Sequence, residues 1–183
     1  MSSIIHQVEY LFHLYPFPKP KKKIKCIGIR PWIFYPCGFF DGVVVGNIGG
    51  AGFVLLQSDS HTLGFSLGCG MSTNAELLAL WAFLDVTRHL GIPLLTIFGD
   101  SLVIINWANR NVSLDSPSLD NWCKDIRSLM YNFSRLTIKH IYREHNQQAH
   151  CLSKKALVLD LGFRIFTEYL DGIIIDHGNF HLF

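Results

Sequence analysis

The chain has 183 residues, 49% of them hydrophobic and 16% charged, which is enough to bury one sizeable core and too apolar for disorder throughout. No apolar run reaches the roughly 18 to 20 residues of a membrane span. The opening MSSIIHQVEY lacks the charged start and long apolar stretch of a secretory signal, so a soluble intracellular protein is expected.

The formal net charge of +2 is unevenly spread. Lys19, Lys21, Lys22, Lys23, Lys25 and Arg30 lie together without an acid; taking those six from the 16 basic residues leaves ten against 14 acids. The stretch PFPKPKKKIK cannot continue a helix and reads as a linker. Residues 1–33 are therefore expected to be an N-terminal extension. The run Lys21 to Lys25 has three readings, a nuclear-import signal, a phosphate-contacting arm or a solvated linker, and leaves nucleus and cytoplasm both open. The five cysteines, Cys26, Cys37, Cys69, Cys123 and Cys151, include no C-x-x-C pair and are expected to be reduced, mostly core thiols.

From Trp32 to Val45 aromatic and β-branched residues predict a strand, and Gly46 to Gly50 a turn. Ala51 to Gln57 and Thr62 to Cys69 predict two more strands, giving an antiparallel meander. The period then changes: Leu77, Leu80, Trp81 and Leu84 fall at i, i+3, i+4 and i+7, a helical stripe that ends near Gly91-Ile92-Pro93. Leu94 to Phe98, apolar between Pro93 and Gly99, reads as a buried parallel strand. A helix after Asp100, a polar loop from Asn109 to Pro117 and a helix from Leu119 to Phe133 follow. Leu136 to Tyr142 alternates as a strand, and Gln147 to Leu157 is a last helix. The expected architecture is α/β, a five-stranded mixed sheet of three antiparallel and two parallel strands flanked by helices, in a domain over 34–158. Residues 159–183 are expected to be a C-terminal extension, with room for one more strand around Gly172 to Ile175.

Three acids fall at positions where a sheet of this order could gather them: Asp41 in the first strand, Glu76 at the start of the first helix, and Asp100 directly after the fourth strand. Each has an ordinary alternative. Asp41-Gly42 fits a turn pair, Thr73 to Glu76 fits a capping box, and Asp100 fits a helix cap. An aspartate beyond the carboxyl end of an apolar strand is more pointed, because ligand sites in open α/β sheets collect there.

The motifs Phe40-Asp41-Gly42, Gly46-Asn47-x-Gly49-x-Ala51-Gly52, Ala75-Glu76-Leu77, Gly99-Asp100-Ser101 and Arg143-Glu144-x-Asn146-x-x-Ala149 together resemble the type 1 ribonuclease H family. The last helix, REHNQQAHCLSKKAL, is closest to the plant, retroelement-related branch associated with reverse transcriptases. The resemblance spans about residues 38–158. It implies a ribonuclease H-like fold in which the first and fourth strands are neighbours, so that Asp41, Glu76 and Asp100 converge. It also implies hydrolysis of the RNA strand of RNA/DNA hybrids with two divalent ions, Mg²⁺ or Mn²⁺. Hard cations of this kind take oxygen ligands, and two of them can activate water and stabilise the leaving oxygen. Ser72, Thr73, Asn74 and Ser101 become candidate contacts to the hybrid. No membrane partner and a monomeric state are expected.

One departure matters most. The family places its fourth acidic ligand where this chain has His150. Imidazole removes a negative charge and is a softer ligand with an unperturbed pKa of about 6.5. Asp41, Glu76, Asp100 and His150 are thus the candidate catalytic and metal-binding set, with a weakened second ion. A slow enzyme and a nucleic-acid-binding or interaction module without catalysis both remain open. Lys154 and Lys155 read as a solvated helix end, and His145 as a surface residue.

Overall fold

The computed structural model describes residues 34–71, 74–114 and 116–181. The expected extension 1–33, with Lys21 to Lys25 and Cys26, lies outside the described residues, as do Ser72 and Thr73. The elements are β1 (Cys37–Val45), β2 (Ile48–Leu56), β3 (His61–Gly68), α1 (Ala75–His89), β4 (Leu94–Gly99), α2 (Leu102–Ala108), α3 (Asp120–Met130), β5 (Arg135–His140), α4 (Gln147–Lys155), β6 (Phe163–Leu170) and β7 (Ile173–His181).

Among the described residues the strands form one sheet in the order β5-β4-β1-β2-β3-β6-β7. The meander β1-β2-β3 is antiparallel, and β4 and β5 run parallel to β1 on its other side. This places the end of β4 beside the middle of β1, with Gly99 opposite Phe40. The sheet has seven strands and corrects the expectation of five. β6 pairs with β3 and β7 with β6, both antiparallel, so residues beyond 158 complete the sheet. The cause is local. Asp171 and Gly172 have φ of 51° and 75°, the left-handed pair of a tight hairpin turn, and Phe166 of β6 stacks on Phe65 of β3 with ring centroids 6.1 Å apart. β6 covers what would otherwise be an open edge at β3, and β7 in turn pairs with β6 as the last strand of the sheet.

Successive residues of a strand face opposite sides. On β1, Phe40 joins the larger core with Phe53, Phe65, Leu80 and Phe83, where Phe53 lies 4.6 Å from Phe65 and 5.2 Å from Phe83 between ring centroids. Cys37 and Phe39 turn to the other face, where they meet Phe98 and Ala149 of α4. Asp41 shares the parity of these two and therefore points to the α4 side. α1 packs on β1, β2 and α3, while α4 lies across β1, β2 and β3. Two glycines set how closely the helices approach. A Cβ on Gly42 would lie 2.1 Å from the Glu76 backbone nitrogen, and one on Gly52 would lie 2.2 Å from that of Ser153. No side chain larger than hydrogen fits at either place, so the first turn of α1 rests on β1 and the middle of α4 rests on β2.

Of the described cysteines, Cys37 and Cys69 are buried, Cys123 is half-buried and Cys151 is exposed; all are free thiols. No described helix is long and apolar enough to cross a membrane.

Candidate active site

β1, the start of α1 and the end of β4 bring Asp41, Glu76 and Asp100 together. Each offers a carboxylate oxygen, and these oxygens all lie within 4.8 Å of one another. The ordinary alternatives for the three acids do not hold. Asp41 and Gly42 are mid-strand, paired with Gly52 and Ala51. The N-cap of α1 is Asn74, which leaves Glu76 in the second helical position, not the third that a capping box requires. The N-cap of α2 is Ser101, so Asp100 stands outside that helix.

The cluster is electrostatically costly without a cation. Glu76 is pushed from its ordinary 4.5 up to about 8, chiefly by burial and then by the charges of Asp41 and Asp100; a backbone N–H from Gly42 and the charge of Arg143 act against this. Its Oε2 is buried without a hydrogen-bond partner. Burial likewise raises the Asp41 carboxyl above its usual range, with Ser153 and His150 pulling it back. An unpartnered buried carboxylate oxygen beside two more carboxylates is a donor set that fits a hard divalent ion.

His150, 7% exposed, is not among the three converging acids but is tied to them through Asp41. Its Nδ1–H donates to Asp41 Oδ2 at 3.0 Å. The buried Ser153 hydroxyl donates to the same oxygen. Arg143 Nη2 lies 3.3 Å from Nε2 and 3.4 Å from Nδ1 of His150. Asn146, 1% exposed, donates from Nδ2 to the Phe40 carbonyl at 2.8 Å and to Asp100 Oδ1 at 2.9 Å, clamping the fourth strand's aspartate to the first strand.

Asn74 and Ser101 thus sit at helix starts beside Glu76 and Asp100. Sequence reasoning quoted Arg143 and Asn146 only as parts of a motif and gave Ser153 no role. The available signals were an asparagine at a helix start and a serine three residues after His150, on the same face of the helix.

Residues 39–156 match the family model described as "Reverse transcriptase-like", well over half of the chain. The chain belongs to the reverse transcriptase-like family. The matched stretch of this family member is a ribonuclease H-like domain and holds all four candidate ligands. Ribonuclease HI of Halobacterium salinarum is 29% identical to it over 124 residues, covering 65% of this chain and 62% of that protein. The chain therefore spans less than two thirds of that relative's length. The structure of ribonuclease H1 from the same archaeon superposes with a TM-score of 0.63 at 28% identity, covering 67% of this chain and 96% of that one. LC11 ribonuclease H1, solved in complex with an RNA/DNA hybrid, superposes with a TM-score of 0.61 at 26% identity over 66% of this chain and 95% of that one.

Proposed function

We propose that this reverse transcriptase-like family member is a ribonuclease H-type hydrolase acting on the RNA strand of RNA/DNA hybrids. The observation that carries the reading is the convergence of Asp41, Glu76 and Asp100 oxygens within 4.8 Å, from three separate elements. The likeness to ribonucleases H, one of them solved with a hybrid, supports the substrate class.

In this reading Asp41, Glu76 and Asp100 hold a divalent cation, Mg²⁺ or Mn²⁺. Such an ion, when bound, activates water and stabilises charge on the scissile phosphate. The chain's own residues prepare the place for it. Asn146 fixes the Asp100 carboxylate, Gly42 holds Glu76 against the strand, and Ser153 with His150 orients Asp41. Asn74 and Ser101, with Ser72 and Thr73, are proposed to touch the hybrid beside the acids.

His150 distinguishes this site. In the fourth ligand position it contributes no negative charge, and its N–H occupies Asp41 Oδ2. One ion is therefore held firmly and a second weakly, giving a slow enzyme with better activity in Mn²⁺ than in Mg²⁺. The same hydrogen bond favours a second reading, a domain that binds hybrid without cutting it. Cleavage of a labelled hybrid, with Mg²⁺ and Mn²⁺ tried separately, decides between them. Asp100→Asn is expected to lower cleavage at least 100-fold; activity undiminished in that variant rules out this site. Hybrid binding with no cleavage in either metal establishes the second reading.

A further inference from the structure

In the sheet Asp41 stands directly opposite Gly52, which has no side chain to fill the space beside the carboxylate. That space is taken by α4. A Cβ on Gly52 would lie 2.2 Å from the Ser153 nitrogen, and one on Gly50, two residues along the same face of β2, would lie 2.3 Å from the Ser153 carbonyl oxygen. The two glycines therefore seat Ser153 on β2 next to Asp41, where it is fully buried.

The Ser153 hydroxyl has one proton and two acceptors in reach, Asp41 Oδ2 at 2.5 Å and the His150 carbonyl at 2.9 Å. The proton goes to the carboxylate, because a charged acceptor makes the shorter and stronger bond. His150 Nδ1–H reaches the same Oδ2 at 3.0 Å. A carboxylate oxygen has two lone pairs, so donors from one helix use both of those on Oδ2. Oδ1 is the oxygen of Asp41 that remains for a cation.

We infer that Ser153 is a positioning residue of the metal site: together with His150 it fills Asp41 Oδ2, so that Asp41 meets a cation through Oδ1 alone and the cluster takes one divalent ion. The barrier to a second ion then has two parts. His150 removes a negative charge, and the two donors of α4 close an oxygen at the centre of the cluster. A second hard ion has to share with the first the small oxygen set of Asp41, Glu76 and Asp100, so the closing of one oxygen weighs on it most. An acid at position 150 reopens only one lone pair of Oδ2. The other stays with Ser153, which makes the serine a determinant of ion number that is separate from the fourth ligand position.

The inference rests on the reading of Asp41, Glu76 and Asp100 as a metal site, and its test separates the two. Mn²⁺ is titrated by calorimetry into the full-length chain as wild type, Ser153→Ala, His150→Asp and the double variant. Ser153→Cys in the His150→Asp background keeps the shape of the side chain and weakens the donor. The wild type is expected to take one ion, and so is Ser153→Ala, because His150 still holds Oδ2. In the double variant the second ion is expected to bind about tenfold more tightly than in His150→Asp alone, the scale on which hydrogen bonds behind a ligand tune metal affinity. The cysteine variant is expected to fall between them. A serine that only packed α4 against β2 would change the Tm and leave this ratio at unity. The same second-ion affinity with and without the hydroxyl, or a single ion in the double variant, would overturn the role of Ser153 while leaving the metal site intact. No Mn²⁺ bound by the wild type would overturn both.

Discussion

Replacing Glu76 with glutamine isolates the electrostatic cost of the carboxylate cluster. In the folded chain, burial and the charges of Asp41 and Asp100 raise the Glu76 carboxyl from 4.5 to about 8. A native-state pKa above the unfolded value means that the fold holds the proton more tightly. The stability this provides is complete below pH 4.5 and is lost as the pH climbs through 8. Across that interval each pH step costs about 1.36 kcal/mol, so the ionised side chain costs the metal-free fold at most about 5 kcal/mol. Glutamine keeps the shape of the protonated acid and carries no charge. In chelator, the Tm of Glu76→Gln minus that of the wild type is therefore expected near zero at about pH 5. Above pH 8 it is expected to be positive by about 5 °C or more, at roughly 2 to 4 °C per kcal/mol for a domain of this size. The lost hydrogen bond from Gly42 to a charged oxygen trims the full relief. Millimolar Mn²⁺ reverses the order, because only the wild type retains the complete ligand set and gains stability from binding. A Tm difference that stays flat between about pH 5 and pH 9 would refute the argument that Glu76 is held in an anionic cluster.

His150→Asp is expected to raise the number of bound Mn²⁺ ions from one to two by titration calorimetry and to increase Mg²⁺-dependent cleavage at least tenfold; unchanged stoichiometry counts against His150 as the weakened ligand. Asn146→Ala removes two buried hydrogen bonds, and urea unfolding is expected to show a loss of about 2 to 3 kcal/mol, with metal affinity falling as Asp100 loses its clamp. Gly52→Ala places a Cβ 2.2 Å from the Ser153 nitrogen and 2.6 Å from the Ala149 carbonyl. The backbone of α4 has to move, so a destabilisation of about 3 kcal/mol or more is expected; a wild-type Tm would contradict the close packing of that helix on β2.

Glu76 and Asp100 were legible because each sits where a change of period marks the start or end of an element, Asp41 only as part of a motif, and the order of motifs gave the sheet that unites them. What stayed hidden depends on distance across elements. Ser153 reaches Asp41 only because Gly50 and Gly52 let α4 lie against β2, and spacing along the helix does not report how near the helix comes to the sheet. The sixth and seventh strands were a different case. Asp171-Gly172 between two apolar runs is a hairpin signature visible in the sequence, but the resemblance stops before it, and a single strand was expected where two occur.

That hairpin bears on how the domain can be produced. Trimming the chain at Val158, where the resemblance ends, would strip β6 from β3 and leave a full row of backbone donors and acceptors unpaired beside Phe65. Such a fragment would keep every residue of the carboxylate site and still be prone to self-association in the test tube. Recombinant work on the catalytic question therefore calls for a chain that runs at least to His181.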